Sequence, residues 1–73
     1  MVEKADEMKK LTGIATDMEL TADIRIRAIE RIGNIGTNEA LRALLDLAAN
    51  ESLIKNEREL AIKHARDIIR AGH

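Results

Sequence analysis

Residues 20–36 read LTADIRIRAIERIGNIG, and the reading of this stretch decides the fold. On a helix turning about 100° per residue, Ile24, Ala28, Ile32 and Ile35 share one narrow arc, with Ile29 beside it. Arg27, Glu30, Arg31 and Asn34 fall on the opposite side. Thr21 is placed to cap the first turn through its hydroxyl, and Asp23 suits the positive end of the helix dipole. Gly33 weakens the last turn, and Gly36 is the natural residue for the left-handed position past the end. The stretch is an amphipathic helix with one buried face.

Upstream, residues 3–16 form another helix, with Ala5, Met8, Leu11, Thr12 and Ala15 recurring at spacings of three and four. Residues 16–20 connect the two. Downstream, Thr37 or Asn38 caps a third helix running to about Ala49, with Ala40, Leu41, Leu44, Leu45, Leu47 and Ala48 as its apolar arc. Residues 50–55 connect it to a fourth, which Asn56 and Glu59 open as a capping box and which ends near Gly72.

Sliding the chain against itself by 33 residues aligns Met8 with Leu41, Leu11 with Leu44 and Ile14 with Leu47. The match continues through the connection, Asp17 with Asn50 and Leu20 with Leu53. It then pairs Arg25 with Arg58, Ala28 with Ala61 and Ile29 with Ile62. Agreement of apolar positions alone is common between amphipathic helices, but agreement of a connection and an arginine is not. The expected fold is all-α: four helices in two stacked antiparallel hairpins, with repeat one at about 3–36 and repeat two at about 37–72 of a single domain.

Composition agrees. Proline and aromatic residues are absent and 34% of residues are charged, which favours helix over sheet. Seventy-three residues lie near the lower limit at which a core alone sustains folding, so covering an end by self-association, as a homodimer, is expected. Without cysteine there is no disulfide or thiolate site. No apolar run approaches a membrane span, and a cytoplasmic location is the default expectation. The net charge of −1 gives no strong attraction to nucleic acid or membrane.

The run Ile24-Arg25-x-x-Ala28-x-x-x-Ile32-Gly33-x-Ile35-Gly36, followed by Asn38-Glu39-Ala40-Leu41-x-x-Leu44-Leu45, resembles HEAT-like helical repeats of the phycobilisome-lyase type. The length of the connections is similar to that in a small uncharacterised archaeal family of paired helical hairpins. The second unit departs from the pattern at Glu57, where an aliphatic residue would precede Arg58. The resemblance implies an α-solenoid fragment that serves as a protein-interaction scaffold, and it implies no chemistry.

The residues themselves offer no catalytic, cofactor or metal site. Ser52, the one serine, has no nucleophile elbow, and Ala61 stands where a Glu-x-x-His metal motif would need its glutamate before His64. Gly33-Asn34-Ile35-Gly36 imitates a backbone-clamping Gly-x-x-Gly loop, but that module needs a sheet. A helix-turn-helix reading would point Glu39 and Asp46 at phosphates. Arg25 and Arg58 sit at the edge of their apolar arcs and must find acceptors; Asp17, Asn50 and Asp46 are the candidates, making a structural clamp on each connection. Gly33 and Gly36 are structural as helix-end residues.

The expected function is therefore a non-catalytic protein–protein interaction module or small scaffold subunit. Its binding face is Arg27, Arg31, Leu60, Lys63 and His64, with Leu60 exposed at the centre; Ile26 and Met18 are also expected to be exposed. The alternative is a nucleic-acid-associated protein using the basic side of helices 22–36 and 55–71.

Overall fold

The computed structural model describes residues 4–72, and among these it is all-α, with no strand. Its elements are α1 (Lys4–Ala15), α2 (Ala22–Ile35), α3 (Asn38–Ala48) and α4 (Lys55–Gly72). Each of α1–α2 and α3–α4 is a helical hairpin. The hairpins stack so that α2 touches all three other helices, while α1 and α4 make no direct packing contact. The result is a slab, 34 × 31 × 17 Å along its principal axes.

Ile29, Ile32 and Leu44 are the large apolar side chains enclosed completely at its centre, with Met8, Leu47 and Leu53 around them. Buried alanines at 15, 28, 40, 61 and 65 fill the remaining core positions. Side-chain size at the contact sets the distance between helix axes, so these alanines draw the helices together. An aliphatic core without a single ring can then close without large voids.

Chemistry recurs along with pattern. In the first connection the Asp17 carboxylate accepts from the Glu19 N–H at 2.9 Å, and in the second the Asn50 side-chain oxygen accepts from the Ser52 N–H at 2.9 Å. Each is an Asx turn, in which a short side chain stands in for a backbone acceptor. The Leu20 N–H donates to the Asp17 carbonyl and the Leu53 N–H to the Asn50 carbonyl, both at 3.1 Å. Between the hairpins Gly36 takes φ 70°, a left-handed conformation that L side chains adopt at a cost, and stops α2. Thr37 caps α3, its hydroxyl accepting from the Ala40 N–H at 3.1 Å.

Four local expectations change. Thr21 stands at the N-cap of α2 in extended backbone, but its side chain makes no capping bond. Helix α4 starts two residues earlier than the Asn56–Glu59 box implies: the Ile54 carbonyl accepts from Glu57 and Arg58, so Asn56 and Glu59 lie inside the helix. Ile24 and Leu45, assigned to buried arcs, are 44% and 48% exposed. The reason for Ile24 is rotation. Helix α2 has neighbours on the sides of α1, α3 and α4, and its buried stripe is Arg25, Ala28, Ile29 and Ile32. Leu60 and Ile26, both expected to be exposed, are half-buried, and Leu60 packs on the core.

Candidate functional site

The seam between α2 and α4 contains the one ion pair that is buried among the described residues. Arg25 Nε donates to Glu57 Oε1 at 3.1 Å and Nη2 donates to Oε2 at 3.0 Å, a two-pronged geometry that uses both carboxylate oxygens. Nη1 turns back to the first connection, donating to the Leu20 carbonyl and, at 3.5 Å, to the Asp17 carbonyl. Glu57 is completely enclosed and Arg25 nearly so. The hydrogen bond to Glu57 holds the guanidinium above its usual range, against the opposing effect of burial, with smaller help from the Glu57 and Asp17 charges. A charge in a dry seam is tolerable only when paired and bonded in this way.

The clamp expected at Arg25 therefore exists, with different partners. Asp17 contributes its carbonyl, because its carboxylate is committed to the turn. The equivalent clamp at Arg58 does not form. Asn50 is likewise committed to its turn, and Arg58 Nε is buried without a hydrogen-bond partner. The acceptor Arg25 finds comes from α4, the second helix of the next hairpin, and among the described residues no hairpin follows α4.

That difference extends along the whole flank. On α2 the side turned to α4 carries Arg25, Ile29 and Gly33; thirty-three positions later come Arg58, Ile62 and Arg66. Ile29 is fully buried, whereas Ile62 is 41% and Ile69, a turn or two further on, 59% exposed. Spacings of four, four and three place Arg58, Ile62, Arg66 and Ile69 on one stripe. Ile62 and Arg66 line a shallow hollow with Glu59 and Lys63. Thr12 lines the α1 side of a hollow of about 370 Å³ facing α3, and its counterpart on α3 is the exposed Leu45.

Gly33 has a different role from the helix-end residue expected. A Cβ there would lie 2.4 Å from His64 Nδ1 and 2.9 Å from His64 Cβ, so the missing side chain admits His64 from α4. His64 is thus a packing residue, half-buried in the seam, and Leu60 rests on the core. The expected binding face therefore divides. Arg27, Arg31 and Lys63 are exposed, Arg31 reaching Glu7 of α1 at 3.5 Å, but Leu60 and His64 are not its apolar centre.

The open stripe of α4 was not picked out in the sequence, although its signal was there: the partners of Ile29 and Arg25 in the 33-residue match are Ile62 and Arg58, and among the described residues no further helix covers them. Among the described residues no three His, Cys, Asp or Glu side chains gather as a metal site, and no helix is long and apolar enough to cross a membrane. No family model, no curated protein and no solved structure matches this chain.

Proposed function

We propose that the protein is a non-catalytic protein–protein interaction module of the HEAT-like repeat kind, working in the cytoplasm, whose binding surface is the open flank of the second hairpin. One observation carries this reading: α4 repeats the stripe that α2 buries, and none of the described residues covers the copy. Stacked repeats bury a continuous core by covering one another, so a terminal unit without a polar outer face leaves an apolar stripe for an occupant. Ile62 and Ile69 supply the apolar centre, and Lys63, Arg66 and Glu59 the charged border, as in most protein interfaces.

The test compares the proteins that co-purify with the wild type and with Ile62→Asp, after circular dichroism has verified equal helicity. Proteins lost from the variant support the module. An unchanged set would sink it, as would tight binding of duplex DNA at near-physiological salt, because that affinity belongs to a phosphate-tracking face.

A further inference from the structure

We infer that the stripe Arg58, Ile62, Arg66, Ile69 receives an acidic amphipathic helix of another protein, seated on α4 as α4 sits on α2, with one of its carboxylates on the Arg58 guanidinium. The inference rests on the interaction-module reading and adds the chemistry of the occupant.

The α2–α4 seam is the template. There an arginine at the head of an aliphatic stripe takes a glutamate from the next helix on Nε and Nη2. Arg58 heads the equivalent stripe, and its Nε, the atom that holds Glu57 Oε1 in the template, is already shielded from water without an acceptor. Desolvation, the costly part of forming a buried ion pair, has thus begun at this atom before any occupant arrives. Where α2 has Gly33, α4 has Arg66, eight residues beyond Arg58 and so about 12 Å along the helix at roughly 1.5 Å per residue. Lys63 and Arg70 are exposed along the same side, with the acid Glu59 beside them on the wheel and the Asp67 carboxylate further from the stripe. An occupant helix with two carboxylates about two turns apart and aliphatic residues between them matches this stripe.

A second copy of the chain matches it poorly in either sense of stacking. Head to tail, the copy would offer α2, whose residues equivalent to Glu57, Leu60 and His64 are Ile24, Arg27 and Arg31. An aliphatic group would then meet the Arg58 guanidinium, and two arginines would meet a basic flank. Around a twofold axis near Ile62, antiparallel α4 helices would bring Arg58 of each copy towards Arg66 of the other. Like charges brought together in an interface cost several kcal/mol. The acceptor has to come from elsewhere.

The experiment measures fluorescence anisotropy of a synthetic helical peptide with a leucine stripe and two glutamates two turns apart, and of its lysine counterpart, against the whole chain. The acidic peptide should bind the wild type, and Arg58→Glu should weaken it about tenfold or more, the size expected when a buried charge pair loses a partner. Arg66→Glu, at an exposed position, should weaken it less. The lysine peptide should bind only the double reversal Arg58→Glu/Arg66→Glu. Equal binding of both peptides to the wild type, or of neither, overturns the inference. So does a sedimenting dimer that Ile62→Asp dissociates, since a second copy would then fill the stripe. If neither peptide binds while Ile62→Asp still loses co-purifying proteins, the acidic helix is wrong and the module stands; if Ile62→Asp loses none, both fall.

Discussion

Ile29 and Ile62 occupy the same place in successive units, yet Ile29 is wholly enclosed and Ile62 is 41% exposed. The two residues are separated by 33 positions; α4 packs on the helix that carries Ile29, and among the described residues no further helix packs on α4 in that way. This pair gives a direct comparison between a closed and an open copy of one interface. Ile62→Asp should leave the thermal midpoint nearly unchanged, because substitutions at exposed positions usually stay within about 0.5 kcal/mol. Ile29→Asp should leave the chain unfolded, since it buries a charge without a partner. A midpoint drop for Ile62→Asp as large as a buried charge causes would mean that the side chain is covered.

Glu57→Ala should be among the most damaging single changes. It leaves the Arg25 guanidinium in a dry seam with only the Leu20 and Asp17 carbonyls. Removing one member of a buried pair typically costs about 3–5 kcal/mol, which for a chain of this size lowers the midpoint by roughly 12 °C or more. The double change Arg25→Met/Glu57→Leu should recover most of that loss, because aliphatic residues of similar volume replace both charges. Arg58→Ala should cost little, as its Nε has no hydrogen-bond partner among the described residues. Thermal melts of the three variants beside the wild type check the set, and a double variant no better than Glu57→Ala would show that the pair is irreplaceable.

At Gly33 two effects oppose each other. Alanine in a helix interior is favoured over glycine by about 1 kcal/mol. Here its Cβ would sit 2.4 Å from the His64 ring and 2.9 Å from His64 Cβ, and only the ring can turn aside. The prediction is net destabilisation for Gly33→Ala. Adding His64→Ala should restore part of the loss but not all, because the contact between the two Cβ atoms remains. A Gly33→Ala variant that melts above the wild type would show that α2 and α4 separate without penalty.

The helices, Gly36 and both connections were legible in the sequence because their causes are local. Amphipathic spacing, a left-handed glycine and the matched pair Asp17 and Asn50 act within a few residues of one another. The rotation of α2 was not legible in the same way. A helical wheel centres on apolar residues and so favoured Ile24 over Arg25, whereas burial is set by which side of α2 has neighbours. Glu57 lies 32 positions from the arginine it holds, beyond the reach of any local period. For the same reason Leu60 and His64 were read as outward-facing. The α2–α4 seam that takes them in exists only once two hairpins have stacked.

The reach of that ion pair also has a bearing on how the protein is made. A ribosome completes the first hairpin before it adds Glu57. At about 5–20 residues per second, the 21 residues from Gly36 to Glu57 take roughly one to four seconds. During that interval the nascent first unit displays the Arg25–Ile29 stripe open, in the condition in which the finished molecule keeps Arg58 and Ile62. Closure of the first seam is therefore timed by synthesis, and stalled chains of increasing length should become protease-resistant only after residue 57 has cleared the exit tunnel.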